Sequence, residues 1–373
     1  MALVLNQEQD MLRESALQFM KERAPVAQLR SLRDTRNDDG FSRETWASFA
    51  EMGFTGVLVP EEFGGLGLGM VEAGAIMEAI GRNLTAVPFF STAVLGASLL
   101  ARHGNTAQKE RCLPALAGGG MMVALAVDES VKHRPEKVAL RAEQDGDGYV
   151  LRGEKVFVVD GHVADQLIVS ARTGDGVTLF LVDGTAQGVR RERSIMVDAH
   201  NAARIVFDGV RVGSDAVIGE AGQGAALLDG VLDIGRTALA AELLGIAEEA
   251  FERTAGYLKE RRQFGQIIGE FQALQHRAST LYTDIEITRA LVLGTQQALD
   301  AGAPNEAALV SAAKARAGTT ATLAVQEGVQ MHGGIGMTDE FEIGFFMKRA
   351  RVVEELLGDA RFHADRWASL SAY

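Results

Sequence analysis

The sequence predicts an α+β fold that is mostly α: an N-terminal α-helical domain, a middle antiparallel β-barrel domain and a C-terminal four-helix bundle. Three observations carry this. Only 6 prolines stand against 42 glycines in 373 residues, which favours long uninterrupted helices joined by glycine-rich turns. The hydrophobic period is helical at both ends of the chain. In between it gives way to short β-rich runs separated by turn signals. The domain boundaries expected from these changes of period are 1–120, 121–221 and 222–373.

The first helix should start near residue 7, because Asn6 precedes Gln9 in a capping-box pattern ahead of Met11, Leu12, Ala16, Leu17, Phe19 and Met20 at helical spacing. A second amphipathic segment runs from Ser42 through Trp46, Phe49 and Met52 to a stop at Gly53. After the turn-rich stretch Pro60–Gly65, a third covers Glu72 to Ile80. The strands expected are Val123–Val127, Val138–Ala142, Tyr149–Leu151, Val156–Val159, Gln166–Ser170, Thr178–Val182 and Ile205–Phe207. Turn signals at 145–148, 183–184 and 208–209 separate them. Beyond Gly222, apolar residues at Phe271, Leu274, Ala278, Leu281, Ile285 and Leu291 restore the helical period, and four helices fit the rest of the chain.

Composition bounds the function. Lys plus Arg total 37 against 50 Asp plus Glu, a formal charge of −13, which gives no general attraction to a phosphate backbone and argues against nucleic acid. One cysteine, Cys112, excludes an intrachain disulfide and any multi-cysteine metal site, so no metal is expected. The opening residues lack a basic segment followed by a cleavable apolar stretch, and a reduced, cytoplasmic setting is the expectation. The run from Asn83 to Ala101 carries no charge and approaches the length of a membrane span. Pro88, Ser91, Thr92 and Ser98 interrupt it, so it reads as a buried helix and turn.

Several motifs, in order, resemble the acyl-CoA dehydrogenase family over essentially the whole chain. Residues Pro60 to Gly69 are similar to its glycine-rich P-E-x-x-G-G-x-G-x-G loop, and Gly104 to Gly118 to the segment ahead of its β domain. More specific are Glu260-Arg-Arg-Gln-Phe-Gly265, then Phe271-Gln-Ala-Leu-Gln-His276, and Gln330-Met-His-Gly-Gly-Ile-Gly336. The resemblance implies an FAD-dependent oxidoreductase that removes the α- and β-hydrogens of an acyl-CoA thioester and passes electrons to an electron-transfer flavoprotein. It also implies that Arg261, Gln263, Phe264, Gln330, Gly333 and Gly334 serve the flavin of a neighbouring subunit, so that an oligomer completes each site. Independently of the family, a guanidinium suits a pyrophosphate, and glycines let backbone N–H groups approach one closely. No G-x-G-x-x-G follows an expected strand, so a Rossmann dinucleotide site is not supported.

On the β-domain side the pattern departs from the family. Where a threonine–glutamate–proline and glycine-rich turn usually lies over the flavin, this chain reads Val127-Asp128-Glu129-Ser130-Val131-Lys132-His133. Where the family has a Trp-Ile-Thr-Asn strand, it reads Phe157-Val158-Val159-Asp160. Phe157 can stack on an isoalloxazine ring, whereas Val159 has no hydroxyl to offer. Asp128, Phe157 and Val159 are the flavin-facing residues expected by resemblance.

The dehydrogenation needs a carboxylate to take the α-proton. The family places it at one of two positions, which here hold Leu357 and Gly235, and neither can accept a proton. Glu242, Glu355 and Asp359 are the weak candidates for a displaced base. Glu242 is two helical turns beyond Gly235, about 10 Å by helix rise. The more ordinary readings are a paired or interfacial carboxylate for Glu242, a surface charge for Glu355 and a helix-start group for Asp359. His332 and His363 read as structural.

Loss of both base positions resembles the small, non-catalytic subunits of heteromeric bacterial acyl-CoA dehydrogenases. The leading expectation is therefore a subunit that completes a partner's FAD site, with the assembly left open as a homodimer or homotetramer, or a heterotetramer with a catalytic acyl-CoA dehydrogenase subunit. The alternatives are a self-sufficient dehydrogenase with a relocated carboxylate, a flavin oxidase or monooxygenase on the same fold, and a binding protein without flavin.

Overall fold

The computed structural model describes residues 3–373. Six helices precede the sheet: α1 (Gln7–Arg23), α2 (Val26–Asp34), α3 (Arg43–Glu51), α4 (Met70–Asn83), α5 (Ala97–His103) and α6 (Thr106–Ala117). The strands are β1 (Val123–Ala126), β2 (Arg141–Asp145), β3 (Gly148–Val159), β4 (Gln166–Thr173), β5 (Gly176–Asp183), β6 (Val189–Ile195), β7 (Asn201–Val212) and β8 (Val217–Ile218). The rest comprises α7 (Gly224–Glu260), the hairpin β9 (Arg262–Gln263) and β10 (Gln266–Ile267), α8 (Gln272–Asp300), α9 (Glu306–His332), α10 (Ile343–Glu355) and α11 (Ala360–Leu370).

The helix starts follow local chemistry. Asn6 accepts from the Gln9 backbone while the Gln9 side chain accepts from the Asn6 backbone, which satisfies two of the amides a helix start leaves open. Asn105 and Gln108 repeat the device at α6. Gly53 takes a left-handed conformation just beyond α3, as its place at the end of the apolar stripe predicts. The uncharged run after Asn83 is almost wholly buried, forming a π-helical stretch Phe89–Gly96 that leads into α5. Among the described residues no helix is long and apolar enough to cross a membrane.

The chain divides into two compact units, one formed by Met1–Ser31, Met70–Thr85 and Arg236–Tyr373, the other by Leu32–Gly69 and Ala86–Gly235. In the helical unit, α4 and α7 meet through small residues. A Cβ added to Gly81 would lie 2.1 Å from the Glu242 carbonyl, and one added to Gly245 would lie 2.1 Å from that of Glu78. Neither position therefore tolerates a side chain without displacing backbone.

The other unit is built on an eight-stranded sheet in the order β6-β7-β3-β2-β4-β5-β8, with β1 beside β4. Its core gathers Leu151, Leu167, Val169, Phe180, Val182, Ile205 and Phe207. Several expectations need correction. The sheet is mixed rather than antiparallel, because β1 runs parallel to β4 from Val123 opposite Gln166, and Arg141 pairs in parallel with Arg172. The strand β6 was also absent from the sequence reading; its Arg190, Arg191, Glu192 and Arg193 suit a charged edge strand, which lacks the apolar signal of a core one. In addition, β2 lies a few residues later than expected, and two expected strands merge into the long β3. Five helices, not four, follow Gly222, since the turn after Glu355 separates α11 from α10.

Candidate functional site

In the helical unit, the family-like cofactor segments cluster at one end. Arg261 follows the last turn of α7, donating its backbone N–H to the Tyr257 carbonyl at 2.9 Å. Gln263 closes β9, and Phe264 and Gly265 both take positive φ, 53° and 84°, at the centre of the two-residue hairpin turn. Gln330 sits near the end of α9, which stops at Gly333 (φ 65°). The Tyr257 ring lies 4.5 Å from that of His332, so the end of α7 and the end of α9 are packed together. His332 itself is buried and donates from Nδ1 to the Gly328 carbonyl at 2.7 Å, a structural arrangement.

Within these segments the Gln263 side chain donates to the Arg262 carbonyl at 2.7 Å, and the Phe264 ring meets that of Phe271 edge-on at 6.2 Å. The Arg261 guanidinium is exposed and forms no ion pair with any described residue, and Phe264 is 92 % exposed. A Cβ placed on Gly333 or Gly334 would meet nothing within 4 Å. An exposed fork-shaped cation, an amide side chain and bare glycine backbone make a donor set that fits the phosphates of a dinucleotide cofactor.

In the sheet unit, β3 breaks register with β7 between Lys155 and Val158, and this bulge holds Phe157 at φ 51° with its ring 52 % exposed. Val159 follows it, and Asp160, also at positive φ, accepts a 2.6 Å hydrogen bond from the Ser91 hydroxyl. Asp128 is engaged within its own segment: His133 Nδ1 lies 3.0 Å from both carboxylate oxygens. Beneath it the buried Lys155 ammonium donates to Glu129 (2.7 Å), Ser170 (2.9 Å) and the Val127 carbonyl (3.0 Å). Burial pulls the Lys155 ammonium below the usual lysine range, against the opposing pull of Glu129.

None of the three acidic residues considered as bases is at leisure. Glu242, 1 % exposed, accepts at 2.6 Å from Nε of Arg349 on α10. Glu355 pairs with Arg351 at 2.5 Å. Asp359 is the N-cap of α11, accepting from the Phe362 amide at 2.8 Å.

Leu357 occupies a turn with φ 55°, followed by Gly358 at 109°. Its carbonyl accepts from Arg236 Nε at 3.3 Å and from His363 Nε2 at 3.2 Å. Burial, together with Lys314, Arg236 and Arg366, drives the His363 imidazole down to about 2, so it is neutral and Nε2 can donate. Gly235 lies in the first half of α7.

Sequence reading missed Lys314, Arg349 and His133. Lys314 could have been found. It falls four residues after Val310 and three before Ala317, on the stripe α9 buries, where a lysine requires a reason.

Comparisons with known proteins match this chain along its length. Models of the acyl-CoA dehydrogenase N-terminal, middle and C-terminal domains cover residues 6–120, 131–210 and 222–368. Mitochondrial isovaleryl-CoA dehydrogenase of Pongo abelii is 32% identical over 94% of this chain and 85% of its own length. Among solved structures, the Tcur3481–Tcur3483 steroid acyl-CoA dehydrogenase is 32% identical with a TM-score of 0.90, covering 98% of both chains. The ChsE4–ChsE5 complex of Mycobacterium tuberculosis is 26% identical with a TM-score of 0.90, covering 100% of this chain and 99% of the other. With models of all three domains matched in sequence order and a relative 32% identical over 94% of the chain, this chain belongs to the acyl-CoA dehydrogenase family of FAD-dependent oxidoreductases.

Proposed function

We propose that this chain is the subunit of an acyl-CoA dehydrogenase that completes a partner's FAD site without supplying a catalytic base of its own. One observation supports the proposal: the position that by resemblance would hold the family's base is Leu357, while Glu242, Glu355 and Asp359 each already accept from a protein partner. A carboxylate held by a guanidinium or by a helix-start amide is oriented toward that partner, which works against its use as the base for a carbon-bound proton.

Bound FAD would supply the hydride acceptor for an acyl-CoA substrate, with electrons leaving to an electron-transfer flavoprotein. The chain's own residues bind and orient. Arg261 and Gln263 would hold the pyrophosphate of the partner's cofactor, with Phe264, Gln330 and the Gly333 and Gly334 amides beside them. Asp128, Phe157 and Val159 would face the ring of a flavin on this chain, although Asp128 already carries His133 and Val159 has no polar atom to offer. Two of the similar structures bear paired names, Tcur3481–Tcur3483 and ChsE4–ChsE5, which supports a heteromeric assembly and lipid or steroid acyl-CoA as the substrate class. The division at residues 1–120, 121–221 and 222–373 belongs to the same proposal.

The test is the flavin content of the chain purified alone and with a catalytic partner. Less than stoichiometric FAD alone, restored with the partner and lowered again by Arg261→Ala in this chain, is the expected pattern. Loss of one bidentate guanidinium contact should weaken FAD about 10–100-fold, from about 1.5–3 kcal/mol for a charge-assisted hydrogen bond. Acyl-CoA-dependent flavin reduction by the lone chain at rates typical of dehydrogenases would overturn the proposal in favour of a relocated base.

A further inference from the structure

We propose that the protonation state of Lys314 sets the conformation of the turn that presents residue 357, making this buried lysine the proton-dependent positioning residue of the site. The inference rests on the reading that position 357 lies where the family's base acts. Lys314 is 2 % exposed on α9, and its Nζ donates to three carbonyls: Val353 and Glu354 at 3.0 Å each and Gly358 at 3.3 Å. An ammonium has three protons, and all three are used.

The arrangement ties the end of α10 to the turn that follows it. Val353 and Glu354 belong to the last turn of α10, whose carbonyls lack helical partners, and Gly358 lies beyond the bend. Leu357 is a non-glycine residue at φ 55°, a conformation that must be held by its surroundings. Arg236 and His363 hold its carbonyl from α7 and α11, and Lys314 holds the next one from α9. A neutral amine has two N–H groups, so loss of the proton leaves one carbonyl unserved. The Gly358 contact is the longest and the one outside α10.

The charges around Lys314 place the transition near neutrality. Burial lowers its ammonium to about 7, with Glu354 and then Asp359 and Glu242 opposing and Arg236 assisting. Arg349 faces the same region from α10 but is paired with Glu242, and Arg366 of α11 donates to Ser311 on α9. His363 is neutral across the range. From α8, Asp284 is taken by Arg316.

Hydrogen–deuterium exchange of the segment 353–363 in the full chain, corrected for intrinsic exchange, tests this between pH 6 and pH 9. Protection of that segment should fall about tenfold relative to the rest of α9 and α10 as pH rises, the size expected of a local opening that loses one charge-assisted contact. Lys314→Arg, which keeps its charge throughout, should hold protection flat, and Lys314→Met should leave it low at both pH values. A wild-type segment with no pH dependence of its own, or a Lys314→Arg variant with the wild-type profile, would overturn the proposal. Should both variants fail to fold, NMR of lysine labelled at the ε-carbon decides in the wild type: a resonance titrating near neutrality supports the clamp, and none titrating below pH 9 overturns it. Adding acyl-CoA to the flavin-loaded assembly separates the two layers. If it leaves the segment's exchange unchanged while the pH response persists, position 357 is not at the substrate and the lysine clamp stands.

Discussion

Glu242 is the carboxylate on which the choice between a base-lacking and a self-sufficient subunit turns, and its pairing makes the choice measurable. The perturbation is Glu242→Gln. The carboxylate is 1 % exposed, accepts at 2.6 Å from Arg349, and has a second oxygen without a hydrogen-bond partner. The side chains of the pair are 1% and 8% exposed, so the Arg349 charge has little water to fall back on when its partner is neutralised. Breaking a buried pair from one side costs about 3–5 kcal/mol. Chemical denaturation read by far-ultraviolet circular dichroism should therefore show an earlier transition for Glu242→Gln. The double variant Glu242→Leu with Arg349→Met should recover most of the loss, because well-packed apolar residues of similar volume replace a buried pair at little or no cost. Removal of a working base would look different: kcat falling by about 10²–10⁴ with the unfolding midpoint unmoved. That result would refute the structural assignment of Glu242 and restore it as a relocated base.

Two further perturbations probe the same unit. Leu357→Glu adds a carboxylate at the proposed base position without a new backbone demand, since neither residue is β-branched and both meet the same φ of 55°; in a flavin-loaded assembly whose catalytic partner has had its own base removed, acyl-CoA-dependent flavin reduction should rise about 10²-fold. An unchanged rate with flavin and fold intact would mean that position 357 does not face the thioester. The second concerns Glu78 on α4 and Glu248 on α7, where burial first, and then repulsion from Glu78, pushes the Glu248 carboxyl up to about 8; burial likewise raises Glu78 despite Arg289, Arg13 and Arg82. A carboxyl whose folded pKa is raised adds stability that is full below the ordinary carboxylate range and is lost as pH rises through about 8. The free energy of unfolding should thus decline from pH 6 to pH 9, and Glu78→Gln, which keeps a donor beside Glu248, should reduce that decline by about 1–3 kcal/mol. An equal decline in the variant would remove the pair as its cause.

How much of this was legible in the sequence depends on the range of the contacts involved. Helix starts were legible, because a capping box needs only Asn6 and Gln9, three residues apart. The glycine stop of α3 and the family-like motifs at 260–265 and 330–336 are equally local. The parallel pairing of β1 with β4 was not legible, because register across some forty residues leaves no periodic trace, and β6 hid behind the charges that suit an edge. For the candidate site the division is sharper. The absence of a carboxylate at 357 is visible in a short motif. What holds position 357 in place is not, because it is assembled from Arg236, Lys314 and His363 on three helices. A missing base and a missing mount for a base have different consequences: without the mount, a restored carboxylate would sample many directions and accelerate little, because proton transfer requires the acceptor within hydrogen-bond reach of the proton it takes. Here position 357 holds a leucine, while the turn that carries it is held at three points. One substitution at 357 is therefore expected to act, whereas Glu242 on α7 and Glu355 on α10 are each held toward a guanidinium, of Arg349 and of Arg351.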